Sequence, residues 1–152
     1  GNGTIDGNGS PETWWQWCGS PQYGFKPSMT TESQSMPFAG DTARWDATDA
    51  AGRRLTNRSM LLWMVDNNIP VTDRVFGPGC GMRPQLINFY RCENVLIEDV
   101  TLKNSPFWVI HPVLSHNVTV RRCRIFNESP NGDGCNPESC SNVLIEDCLF
   151  HT

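Results

Sequence analysis

The stretch Asn94-Val95-Leu96-Ile97-Glu98-Asp99 recurs unchanged as Asn142-Val143-Leu144-Ile145-Glu146-Asp147, with a degenerate copy, Asn117-Val118-Thr119-Val120-Arg121-Arg122, between them. Successive asparagines stand 23 and 25 residues apart. A period of this size marks an array in which each repeat adds one rung to the next. Apolar residues alternate within each copy (Val95 and Ile97, Val118 and Val120, Val143 and Ile145), as a half-buried strand requires, while Glu98, Arg121 and Glu146 make the other face polar. Val100 and Leu102, Cys123 and Ile125, and Cys148 and Phe150 recur further along the copies, so two short strands are predicted per repeat. Such runs are too short for a helical solenoid, and the leucine framework of a leucine-rich repeat is absent. The expectation is a parallel β-solenoid. Stacked coils place equivalent residues about 4.8 Å apart, so Asn94, Asn117 and Asn142 should form a column at a turn, where asparagine tolerates left-handed backbone angles.

A chain of 152 residues is expected to make one domain, with a core large enough to bury roughly 70% of its unfolded surface. The formal net charge of −4, and the lack of any basic run, argue against a nucleic-acid partner. No apolar stretch approaches the roughly 18–20 residues that span a bilayer. Four of the seven cysteines fall at equivalent repeat positions, Cys92 with Cys140 and Cys123 with Cys148, which reads as core stacking. The odd total leaves a thiol unpaired, a bond between Cys18 and Cys80 stays open, and without a Cys-x-x-Cys pair no zinc site is expected.

Periodicity is lost from Trp14 to Arg83, where Gly, Pro, Ser and Thr crowd residues 19–40. The organisation expected is an opening coil over residues 1–15, a loop-rich insertion over 16–82 and regular coils over 83–152. Asn57 can cap a short helix within the insertion, with Met60, Leu61, Met64 and Val65 on one face and Pro70 closing the segment. The insertion could pack on the solenoid, cover one end, or form a lid over a groove; by blocking the groove, residues 19–40 would favour exo cleavage.

Ser129 to Ser139 reads Ser-Pro-Asn-Gly-Asp-Gly-Cys-Asn-Pro-Glu-Ser. In isolation Asn131-Gly132-Asp133-Gly134 is a tight turn. The first half also mimics a calcium loop, but Cys140 stands where that loop needs its glutamate. The repeat changes the reading. Stepping back by 25 and then 23 residues aligns Asp133 with Trp108 and Gln85, and Asn136 with His111 and Asn88. An aromatic ring beside amides and a carboxylate is a surface that binds sugars, although Trp108 alone also suits packing.

These residues carry a family resemblance. Gly3-Thr4-Ile5-Asp6-Gly7 with Trp14-Trp15, Arg83-Pro84, Asn104-Ser105-Pro106, Trp108 with Ile110-His111-Pro112, and Asn131-Gly132-Asp133-Gly134 together resemble glycoside hydrolase family 28, the polygalacturonase and rhamnogalacturonase group. The resemblance implies a right-handed parallel β-helix that cleaves the α-linked galacturonic acid backbone of pectin with inversion, using a general acid and a base that activates water. On it, Asp133 matches a catalytic aspartate that positions or activates the water, and Asn131, Asn136, His111 and Trp108 are expected to contact substrate. No cofactor or metal is implied. The partner is a pectic polysaccharide and the full-length protein is expected to be a monomer.

Two positions depart from the family pattern: Gly132 replaces the usual threonine, and Asn136 stands where many members carry another aspartate. The family's adjacent aspartate pair is expected just beyond Thr152, so this stretch is read as part of a β-helix, inactive alone. A non-catalytic polysaccharide-binding or adhesin-type solenoid is the rival reading, separable because binding needs no carboxylate set. A pectate lyase would need clustered calcium-binding aspartates and a basic proton abstractor, which are not evident. A polymeric substrate implies a secreted or periplasmic setting. Asn117, one of five glycosylation sequons (Asn2, Asn8, Asn57, Asn117, Asn127), should not carry a glycan, since the asparagine column leaves it no room.

Overall fold

Asn94, Asn117 and Asn142 form the expected column. All three are left-handed, with φ of 57°, 53° and 53°. Asn117 Nδ2 donates to Asn94 Oδ1 at 3.0 Å, and Asn142 Nδ2 donates to Asn117 Oδ1. In this computed structural model, residues 2–15, 50–52, 57–74 and 82–152 are described. The Cys18–Cys80 pairing and residues 19–40 lie outside them.

The strands are β1 (Thr4–Asp6), β2 (Ile87–Tyr90), β3 (Glu93–Glu98), β4 (Thr101–Lys103), β5 (Ile110–Val113), β6 (His116–Arg121), β7 (Arg124–Phe126), β8 (Ser141–Glu146) and β9 (Leu149–His151). They stack in parallel into three sheets, ordered β1-β4-β7-β9, β2-β5 and β3-β6-β8. The fold is a right-handed parallel β-helix. Val95 pairs with Val118 and Val118 with Val143, so the repeat measured in sequence is the coil measured in space.

Each full coil has three strands where the sequence pattern predicts two. The strand missed is β2 and its successor β5, Ile-His-Pro-Val. A proline and a histidine within four residues hide a strand. Pro112 has no N–H to give, but its carbonyl still accepts from Glu138 N at 2.9 Å. Two further columns of left-handed residues bend the coil: Arg91, Leu114 and Ser139 (φ 53°, 50° and 50°), and Asp99, Arg122 and Asp147 (φ 56°, 51° and 52°).

Between the sheets lies one core of Ile97, Leu102, Val109, Ile110, Val118, Val120, Cys123 and Ile125. Full burial of each aliphatic side chain contributes about 1.5–3 kcal/mol. Cys123 and Cys148 stack at the core as expected, whereas Cys92 and Cys140 lie outside it, two coils apart, and do not stack on each other. Cys123 is buried, and Cys92 and Cys140 flank Ser115, whose Oγ accepts from Cys92 N at 3.1 Å. The described cysteines are free thiols, and burial pushes Cys123 up and Cys135 up to about 11. Outside, Arg121 and Arg122 both pair with Glu98 (2.8 and 2.9 Å), and Arg122 also pairs with Asp99 (2.7 Å).

The contacts divide the chain into two compact units, residues 1–15 with 83–152, and residues 16–82. In the second, helix α1 (Asn57–Asp66) forms where the pattern predicts it. Met60 and Met64 are buried against Trp63 and Ile69, whereas Val65, expected on the same face, is exposed. Among the described residues no helix is long and apolar enough to cross a membrane.

Candidate functional site

Asp133 lies one rung above Trp108. Val109 N donates to Asp133 O at 2.9 Å, Ile110 N to Gly134 O at 3.1 Å, and the coil below repeats the pattern with Leu86 N bonded to Trp108 O at 3.1 Å. Gln85, Trp108 and Asp133 therefore share one position in three coils. Asn88 pairs with His111, and the bridge from Ile110 to Cys135 sets Asn136 directly above His111. Residues 135–138 are laid on β5 by bridges at their two ends, so the third coil continues this sheet without a full strand.

Asp133 is exposed, and Asn136 Nδ2 donates to its Oδ2 at 3.2 Å. The other amide atom, Asn136 Oδ1, is buried without a protein partner. His111 is almost wholly buried. Its Nδ1 accepts from Asn88 Nδ2 at 3.0 Å, an assignment fixed by that same amide nitrogen donating to His111 O at 2.9 Å. Nε2 then carries the proton in the neutral ring and donates to Glu138 Oε2 at 3.1 Å. Trp108 meets the His111 ring edge-on at 4.8 Å and stacks on Phe107 at 5.0 Å. The Phe107 contact occupies ring area that sequence reasoning left for a sugar.

The turn carrying Asp133 is built on Asn127, which is 2% exposed. Its Nδ2 donates to Ser129 Oγ (2.9 Å), Gly132 O (3.1 Å) and Phe107 O (3.2 Å). A Cβ on Gly132 would sit 2.6 Å from that nitrogen and 2.6 Å from Ser129 O, which accounts for glycine here. Gly134 is held glycine by the ring of Phe150 pressed against it. Asn131 takes a left-handed conformation, φ 57°, and its Oδ1 accepts from the Arg83 guanidinium at 2.8 Å.

The structure thus gathers Asp133 with Asn136, and Trp108 with His111, in adjacent coils of one ridge, and ties Asn131 to Arg83. Sequence reasoning missed Glu138, Arg83 and Asn127 as parts of the site. Glu138 had a signal: two residues beyond Asn136, strand alternation returns it to the same face. Arg83 had one too, since the 23- and 25-residue steps place it level with Asn131, whereas the role of Asn127 depends on which atoms its buried amide meets, up to 20 residues away.

Residues 66–152 match the family model described as Glycosyl hydrolases family 28. A Vitis vinifera protein named Probable polygalacturonase is 46% identical over 70 residues, covering 45% of this chain and 14% of that protein. An Arabidopsis thaliana protein, also named Probable polygalacturonase, is 36% identical over 74 residues, 47% of this chain and 16% of its own length. The crystal structure of a hyperthermoactive exopolygalacturonase from Thermotoga maritima superposes with a TM-score of 0.71 at 39% identity, over 97% of this chain and 28% of that one. The matched region is about a seventh of the length of the two plant relatives.

Proposed function

The chain belongs to glycosyl hydrolases family 28, and on that premise we propose that it forms part of a pectin-degrading glycoside hydrolase that cleaves α-linked galacturonic acid polymers with inversion. The observation that carries this reading is Asp133: an exposed carboxylate at the edge of a parallel sheet, oriented by Asn136 and one rung above Trp108. Inversion requires a carboxylate that activates water on the face of the sugar opposite the leaving oxygen, and a carboxylic acid that protonates that oxygen. Asp133 is assigned to the water. Glu138 is engaged by His111 and supports the ridge.

Asn136 holds one carboxylate oxygen, so the base meets the water in a set direction, and positioning of this kind lowers the entropic part of the barrier. Trp108 continues the ridge as a sugar contact, with Asn131 behind it in the turn; His111, expected to contact substrate, is buried with both ring nitrogens bonded to Asn88 and Glu138 and instead supports Trp108 edge-on. The polymeric substrate class makes a secreted or periplasmic setting the natural one. Asp133→Asn keeps the shape and the hydrogen bonding while removing the charge. In the complete protein it should lower turnover of polygalacturonate by about 10²-fold or more, the span typical of general acid–base groups. Reducing-end release within threefold of the parent enzyme, from correctly folded protein, would reject the assignment.

A further inference from the structure

The guanidinium of Arg83 joins three coils at the base of the site. In the 23- and 25-residue register, Arg83, Pro106 and Asn131 occupy equivalent positions in successive coils, each two residues before Gln85, Trp108 and Asp133. Arg83 Nη1 donates to Pro106 O at 3.0 Å and to Pro130 O at 2.6 Å, and Nη2 donates to Asn131 Oδ1 at 2.8 Å. The same group lies over the Phe107 ring, 4.9 Å from its centroid, and Phe107 in turn stacks on Trp108. One planar cation therefore grips the carbonyl before Phe107-Trp108 and the carbonyl and side chain before Gly132-Asp133.

We propose that Arg83 is a positioning residue of this site: a clasp that sets the height and orientation of Asp133 relative to Trp108 without itself touching substrate. The inference rests on the assignment of Asp133 as the water-activating carboxylate. Its physical basis is that neither turn is fixed by regular strand pairing. Asp133 precedes a bridged segment rather than a strand, and Asn131 holds a left-handed conformation that other residues adopt rarely. Backbone carbonyls at two levels and a side-chain amide oxygen converge on one guanidinium, whose donors are fixed in a plane. Lysine carries the same charge but cannot present two nitrogens at that spacing or stack flat on Phe107.

The test uses the complete protein with Arg83→Gln, Arg83→Lys and Arg83→Ala, alongside Asp133→Asn. Folded Arg83→Gln and Arg83→Lys should each lose tenfold or more in kcat on oligogalacturonate. Added methylguanidinium should restore at least threefold of the Arg83→Ala loss and do nothing for Arg83→Lys. Hydrogen exchange should accelerate at the Val109 and Ile110 amides, which bond to Asp133 and Gly134, and stay unchanged at Arg122, whose amide bonds to Glu146. Folded Arg83→Gln with kcat within twofold of the parent, or a loss confined to the melting temperature without methylguanidinium rescue, overturns the clasp. If Asp133→Asn is itself active, the site assignment has failed; if Asp133→Asn is inactive and Arg83→Gln is normal, only the clasp has.

Discussion

Gly132 should resist replacement, and the reason is steric. Its φ is not left-handed, so a side chain meets no backbone penalty there. A Cβ would instead lie 2.6 Å from Asn127 Nδ2, 2.6 Å from Ser129 O and 2.7 Å from Ser129 Oγ, roughly 0.8 Å inside ordinary contact. Ser129 O is backbone and Asn127 is buried, so neither can swing away as a surface side chain would. Relief requires the Asn127 amide to move, weakening the bonds that its two N–H groups share among Ser129, Gly132 and Phe107, at about 1 kcal/mol in all, on top of the strain of overpacking, about 1–3 kcal/mol. Gly132→Ala should therefore destabilise by about 2–4 kcal/mol, and Gly132→Thr by more, although threonine is what family resemblance leads one to expect. Urea unfolding of the complete protein reads this as a midpoint lower by about 1–2 M, for a slope near 2 kcal/mol/M. In an Asn127→Ala background the same glycine change should cost at least about 1 kcal/mol less, because the amide is gone as a clash partner and Ser129 alone remains. A midpoint shift below about 0.2 M for Gly132→Ala, or equal costs in the two backgrounds, would refute the argument.

The central asparagine of the column accepts one amide bond, donates another and holds φ 53°. Asn117→Ala should cost about 1–3 kcal/mol and Asn117→Gly distinctly less, since both lose the amide bonds but glycine keeps the left-handed angle at no steric cost; thermal melts that place the two together, or rank them the other way, would refute the part assigned to the backbone angle. Acid stability should follow the charge cluster on the outer face. Hydrogen bonds from Arg121 to Glu98, and from Arg122 to Asp99, hold both carboxyls below their usual range. A carboxyl depressed in the folded state stabilises above its unfolded pKa, and that contribution is lost as pH falls through the folded value. The melting-temperature difference between the parent and Arg122→Gln should be present near pH 7 and shrink below about pH 4. A difference that grows on acidification would contradict it.

The asparagine column and the Cys123–Cys148 stack were legible because a solenoid repeats position by position: what is equivalent in successive copies is adjacent in space, whereas Cys92 and Cys140, two copies apart, have Ser115 between them. The same ruler carried Asp133 to the level of Trp108 and Asn136 to that of His111, and the hydrogen bonds from Val109 and Ile110 follow that register. The left-handed columns of Arg91, Leu114 and Ser139, and of Asp99, Arg122 and Asp147, were not legible, because most of these side chains have no preference for that conformation. Strand β5 was hidden by Pro112. A parallel rung tolerates it because the carbonyl still bonds to Glu138.

By itself, then, the sequence determined the coil, its period, the inward face of each strand and the register in which Asp133, Trp108, Asn136 and His111 align, since periodicity is a property of the chain read in one dimension. Only the tertiary structure decided what each of these side chains does on arrival: that Asn131 is held by Arg83, that Trp108 lies against Phe107, that His111 is committed to Asn88 and Glu138, and that Asn127 reserves the space at Gly132. Those outcomes depend on distances of a few ångströms between residues that stacking brings together, and a period specifies which residues stack without specifying which atoms meet.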